Sequence, residues 1–359
     1  MGKIGNFFHT VFVKAVWQTF FVKWVWETFF VAWIYKAFWK EFVVKKLRFN
    51  KWKGWVYLAP ALVLLAIFTF WPIFNTVRMA FSNGYNSVLE NAGITFEFGV
   101  QNFINVIQVE EFTTALKNTM LLCVLTVPLS TLLALLIAVA LNSIKPLQKF
   151  LQTIFFLPYV TNSIAIGMVF MAMFNMTGTG FDKNVPNISS LGIINSIIGW
   201  FGGDPINWVN SNSSYENNLA VLVIYIVWNA LPFKILVLLG GLQSVNKQYY
   251  EAAKIDGTPR WRVFTRITVP LLSPMIAYVV ITGFIGGFKE YSSVVGIFGD
   301  KMGPAGIGEG SLQTIVGMIY DALPGAQYGK ASAAALILFA IIFVVTMINL
   351  RVSNKKTHY

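Results

Sequence analysis

Six stretches of this chain, 55–74, 119–141, 151–174, 219–241, 274–298 and 332–350, are each long and apolar enough to cross a hydrocarbon layer, which takes about 20 residues of α-helix. In lipid every backbone N–H and C=O must find its partner internally, so the pattern predicts an all-α membrane protein with six transmembrane helices. Pro60, Pro72, Pro128, Pro158 and Pro232 fall inside these stretches. Neighbouring helices or cavity water can satisfy the carbonyls that such prolines free. Only 12% of the residues are charged and 56% are hydrophobic, which leaves little of the chain suited to water.

The charges that remain are sorted by side. Of the 27 Lys and Arg, 20 lie in the N-terminal tail, the 142–150 loop, the 242–272 loop and the C-terminal tail, opposed there only by Glu27, Glu41, Glu251 and Asp256. Even-numbered crossings put these segments on one side, and the positive-inside rule makes it the cytoplasmic one. This sidedness accounts for the net charge of +12 without invoking nucleic acid. The opposite side receives the longer segments 77–118, 175–218 and 299–330. Within them, the apolar patch 191–200 is expected to lie as a surface helix in contact with something outside.

Several chemistries are excluded. The two histidines, His9 and His358, sit in the tails, so the body has no imidazole for a general base or a His-rich metal site. The single Cys123 cannot form an intrachain disulfide. No phosphate-cradling GxxxxGK[ST] motif occurs, so this chain is expected to bind no cofactor, and any ATP chemistry must come from a partner.

Residues 1–53 form a separate basic, aromatic-rich extension. They hold 17 aromatic side chains interleaved with lysines, a composition suited to the inner membrane interface. A nine-residue near-repeat, Val16-Trp-Gln-Thr-Phe-Phe-Val against Val25-Trp-Glu-Thr-Phe-Phe-Val, puts equivalent positions on opposite sides of a helix, so it does not build one amphipathic face. No cleavable leader is expected, because the first charge-free apolar run begins near Trp55. The domain layout is thus an extension at 1–53, a six-helix transmembrane core at 54–351 and a short tail at 352–359.

The most patterned inner segment is 242–272. Gln248, Tyr249, Tyr250, Glu251, Ala252, Ala253, Lys254 and Ile255 favour a helix, Gly257 suits a left-handed stop, Thr258 suits a cap and Pro259 the first position of a second helix. Glu251, Ala252 and Ala253 would present a short knob with small side chains and one carboxylate. The spacing from Glu251-Ala252-Ala253 through Gly257 to Ile267, Val269 and Pro270 resembles the EAA loop of the membrane subunits of binding-protein-dependent ABC importers, with Val269 where Leu is usual. Gly241-Leu242-Gln243 and Pro270-Leu271-Leu272 resemble the carbohydrate branch, the permeases of maltose, multiple-sugar and glycerol-phosphate systems. So do Phe98-Gly-Val-Gln-Asn-Phe103 and Phe155-Phe-Leu-Pro-Tyr159.

The resemblance implies a non-catalytic permease of the bacterial cytoplasmic membrane that moves a carbohydrate by alternating access. It implies as partners a second permease, two cytosolic ATPases holding ATP and Mg, an extracytoplasmic solute-binding protein, and the bilayer. On this likeness Glu251 is the polar anchor for the ATPase, Ala252 and Ala253 allow the close fit, Gly257 fixes the bend and Asp256 caps or pairs locally. The substrate-contacting positions correspond to Tyr159, Ser163, Asn229, Ala230 and Phe233, and then to Gly287, Phe288, Lys289 and Glu290, where the family is asparagine-rich and uncharged. Tyr159 and Ser163, four apart, are expected on one helix face, and Asn229 and Phe233 beside Trp228 around Pro232. Lys289 facing the path would favour an anionic solute such as a sugar phosphate. A stand-alone secondary transporter or channel would call for duplicated halves or intramembrane relay carboxylates, of which Glu290 is the one example. A membrane-embedded enzyme would need a cluster of His, Asp or Cys at the membrane face.

Overall fold

The computed structural model describes residues 53–144, 148–177, 190–306 and 308–356. The near-repeat, both histidines and the interfacial role given to the N-terminal extension lie outside these residues. The chain divides into two units, residues 1–75 and 76–359.

In the first unit α1 (Lys53–Leu65) continues through one turn of π-helix (Ala66–Phe70) into α2 (Trp71–Ala80), which runs on into the second unit. Trp55, Phe68, Phe70 and Trp71 stand exposed along it, as lipid-facing side chains would.

The second unit is almost wholly helical. Short helices α3 (Ser87–Asn91) and α4 (Gln101–Gln108) lead to α5 (Glu110–Ser143), followed by α6 (Gln148–Val160) and α7 (Ser163–Phe174). A two-residue ladder pairs β1 (Met176–Thr177) with β2 (Ser190–Leu191). Then come α8 (Ile193–Trp200), α9 (Tyr215–Ser244), α10 (Gln248–Ile255) and α11 (Arg260–Val263). A π-turn (Phe264–Thr268) joins α11 to α12 (Val269–Leu271). The rest is α13 (Ser273–Gly287), α14 (Ser292–Phe298), α15 (Ile315–Asp321) and α16 (Tyr328–Lys356).

Among the described residues four helices are long and apolar enough to span a membrane: Tyr57–Ala80, Glu110–Ser143, Tyr215–Ser244 and Tyr328–Ser353. The pair Arg260–Leu271 and Ser273–Gly287, bent by 68°, makes a fifth if taken as one span. The third apolar stretch is not one helix. It breaks at Thr161 and Asn162, where the Asn162 side chain accepts from the amides of Ile164 and Ala165 and so caps a new helix. The fifth stretch breaks between Gly287 and Ser292.

The framework is the pair α5 and α9. Buried positions 115, 119, 122, 126, 130, 134 and 138 of α5 recur at three- and four-residue steps, one face of a helix, and this face packs on Leu222, Ile226, Ile235 and Leu239 of α9. Hydroxyls on that face stay satisfied by donating up their own helix: Thr119 to Ala115 O at 2.7 Å, Thr126 to Leu122 O at 2.7 Å and Thr131 to Val127 O at 2.7 Å. Asn118 closes one end of the pair, donating to Ser311 O and Gln313 O at 2.9 Å each and accepting from the Tyr215 hydroxyl at 2.8 Å.

The half-helices α7 and α14 pack backbone to backbone. A Cβ built on Gly167 would lie 2.7 Å from Gly296 Cα, and one on Gly296 would lie 3.0 Å from Gly167 Cα, the small-residue contact that lets membrane helices approach. Gly167→Ala should therefore destabilise the protein by about 1–3 kcal/mol. Gly240→Ala, where no heavy atom lies within 4 Å of the added methyl, should leave stability unchanged. Melting temperatures of the two variants in detergent check the contrast.

Candidate functional site

The breaks in the third and fifth apolar stretches both border one cavity of about 320 Å³. Thr126, Val127 and Ser130 of α5 form one wall; Ile226, Asn229, Ala230, Phe233 and Lys234 of α9 a second; Thr282, Gly283, Gly286 and Gly287 of α13 a third. Tyr159, near the end of α6, and Glu290, in the gap after α13, complete it.

Of the sequence-derived substrate positions, Tyr159, Asn229, Ala230, Phe233, Gly287 and Glu290 are thus brought together. The Tyr159 and Phe233 rings stack with centroids 6.1 Å apart and 19° between planes, and Phe233 in turn meets Tyr278 at 6.5 Å. The other three positions lie elsewhere. Ser163 opens α7 beyond the break, so it shares no continuous helix face with Tyr159. It is tied instead to Tyr225, whose hydroxyl lies 3.0 Å from Ser163 Oγ and donates to Ser163 O at 2.5 Å. Phe288 is 2% exposed and packs in the core with Val106, Phe112 and Cys123. Lys289 is exposed and does not line the cavity. The chain is no longer helical there, so helical spacing does not set the directions of Lys289 and Glu290. Trp228 turns to Phe170, at 5.2 Å, rather than into the cavity.

The cation that does reach the cavity is Lys234, 4% exposed. Its ammonium donates to Ser130 Oγ at 2.7 Å, Thr131 Oγ1 at 2.9 Å and Val127 O at 3.2 Å. Snorkelling to an interface, the usual fate of a lysine in a span, is replaced by hydrogen bonds across to the neighbouring helix. Gly283 makes room for it, since a Cβ there would sit 3.2 Å from Lys234 Nζ. The α5 hydroxyls went unread as site residues. Their trace in the sequence is Thr126, Ser130 and Thr131 at helical spacing in an otherwise apolar run.

The second site is the 242–272 loop. Helix α10 ends at Ile255, and Gly257 adopts φ +65°. Thr258 N bonds back to Ala253 O at 2.9 Å and Gly257 N to Lys254 O at 3.2 Å, the paired bonds of a Schellman stop. Thr258 does not cap the next helix: that position belongs to Pro259, with no side-chain cap. Glu251, Ala252 and Asp256 are exposed while Ala253 is buried. Asp256 takes part in neither of the two ion pairs among the described residues, Arg78 with Glu90 and Lys301 with Glu309. Ile255, 86% exposed, and Trp261 flank the bend.

A helical membrane scaffold with an interior cavity and a short exposed helix closed by a sharp bend suits a solute permease. The chain belongs to the family described as binding-protein-dependent transport system inner membrane component, which it matches over residues 130–358. It is 29% identical over 303 residues to a lactose transport system permease of Rhizobium radiobacter, covering 84% of this chain and 93% of that one. It is 30% identical over 306 residues to an arabinooligosaccharides transport system permease of Halalkalibacterium halodurans, covering 84% and 88%. A bacterial alginate ABC transporter solved in complex with an alginate pentasaccharide-bound periplasmic protein superposes with TM-score 0.65 at 25% identity, over 86% of this chain and 97% of that one.

Filling a site with an apolar isostere and stripping one partner from a buried charge have unequal costs. Lys234→Met should leave the melting temperature within a few degrees of the parent, whereas Ser130→Val, which keeps the ammonium and removes an acceptor, should cost about 1–3 kcal/mol. Thermal unfolding of both variants in detergent checks this order.

Proposed function

We propose that this chain is a transmembrane permease subunit of an ATP-driven, binding-protein-dependent carbohydrate importer of the bacterial cytoplasmic membrane. The observation that carries the reading is the cavity itself. An aromatic stack, Tyr159 on Phe233, stands beside the Asn229 amide and the Glu290 carboxylate, and apolar ring faces with a few polar groups suit a sugar. The sugar-transport names of the relatives support it, and a partner binding protein is supported by the periplasmic protein in the alginate complex.

In this reading the chain crosses the membrane six times with both termini inside, and the third and fifth crossings are the discontinuous ones. Broken helices at the solute site are a recurrent device of transporters, because backbone that leaves the helix is tolerated only where it lines a cavity. The permease domain is 54–351, with the basic extension before it. Hydrolysis of ATP with Mg belongs to two cytosolic partner subunits, and a second permease completes the pathway.

Coupling runs through the inner knob. Gly257 stops α10 so that Glu251, Ala252 and Asp256 stand exposed, and a small side chain flanked by two carboxylates fits a groove bearing arginine. Closure of the ATPases then moves the spans as rigid bodies. Gly257→Val should strain the φ +65° turn, and together with Glu251→Ala it should uncouple ATP hydrolysis from uptake or weaken ATPase association, with membrane insertion intact. Normal uptake and complex formation in both variants would refute the coupling role. Tyr159→Ala and Asn229→Ala should each lower uptake of the transported sugar without loss of assembly; uptake at the parental rate in both would remove the cavity from the pathway.

A further inference from the structure

Two formally charged side chains line the cavity, Lys234 and Glu290, and protein hydrogen bonds hold both in place. An ammonium has three N–H donors, and those of Lys234 are matched by Val127 O, Ser130 Oγ and Thr131 Oγ1. It contributes a fixed positive charge with no donor free. The hydroxyls of Thr126 and Thr282 are likewise committed, to Leu122 O and Tyr278 O at 2.7 Å each. Glu290 is held as well: Oε1 accepts the Ser293 amide at 3.1 Å, and the Ser293 hydroxyl and the Tyr291 amide also bond to the carboxylate. The Tyr159 hydroxyl and the Asn229 amide make no hydrogen bond among the described residues.

The donors left for a solute are therefore a phenol and a carboxamide. Sugar hydroxyls, which both donate and accept, satisfy both. A carboxylate or phosphate on the solute would meet no free cationic donor and would add an unpaired charge to a poorly solvated site, which is costly. With one fixed positive and one negative group, the formal charges already cancel.

We propose that Glu290, set against the fixed charge of Lys234, is a specificity-determining residue that makes the cavity select uncharged sugar units and reject those bearing a carboxylate or phosphate. The inference rests on the carbohydrate-import reading and sharpens it. It also separates this chain from its structural neighbour, which was crystallised with alginate bound to its periplasmic protein, alginate being an acidic polysaccharide. Removing either charge leaves the other unbalanced, so the preference must shift in a direction set by which one is removed.

The test is direct binding to the complete transporter in nanodiscs, without binding protein, by titration calorimetry. The probes are neutral, uronate and amino-sugar tetrasaccharides of matched linkage in the gluco, galacto and manno series. The parent should bind the best neutral member at least about tenfold tighter than its uronate counterpart, a difference of about 1.4 kcal/mol. Glu290→Gln should close or invert that ratio, Glu290→Asp should restore it, and Lys234→Met should shift preference toward the amino sugar. Equal binding of neutral and uronate members by the parent, or an unchanged ratio in Glu290→Gln, overturns the inference and leaves the carbohydrate reading standing. Failure of every sugar in every series to bind overturns both.

Discussion

A lysine ammonium enclosed among apolar helices must find acceptors for its protons, and meeting that demand ties α9 to α5 at the level of the cavity. Val127 O, Ser130 Oγ and Thr131 Oγ1 gather around Lys234 within 3.2 Å, one turn from Pro128, where the α5 ladder already lacks a donor. The same hydroxyls donate along their own helix, so each serves twice. Gly283 on α13 supplies the missing volume. Three helices thus meet around one side chain, and the walls of the cavity follow from that meeting.

The opposite side of the cavity is made by interruption. Had the third and fifth apolar stretches run on as continuous helices, Tyr159 and Ser163 would share a face and Glu290 would follow helical spacing. Instead Asn162 caps α7 anew, and the chain leaves the helix after Gly287. The second halves, α7 and α14, compensate by packing through Gly167 and Gly296, so the breaks are held open by a close backbone contact between the pieces they create. Tyr159 and Glu290, each next to a break, are left facing the same space.

Much of the inner loop was legible because its signals are local. A helix-favouring run closed by Gly257 says where the helix stops, and the left-handed turn with its two return bonds follows from the absence of a Cβ. Thr258 misled for an equally local reason: Pro259 takes the capping position itself and holds the residue before it extended. For the cavity, aromatic and amide residues around Pro232 pointed to the stretch of α9 that lines it. The contribution of α5 left only an ambiguous trace, since serine and threonine in a span read equally as glue between helices or as helix-internal donors.

The sequence by itself determined that this is a multi-pass helical membrane protein, where its apolar stretches lie, and that an exposed bend sits at Gly257, because hydropathy and backbone preference act over a few neighbouring residues. Only the tertiary structure decided which lysine enters the cavity. Lys234 and Lys289 look alike as isolated charges in apolar surroundings. What separates them is whether another helix brings acceptors within reach, and that depends on contacts with residues some hundred positions away in the chain.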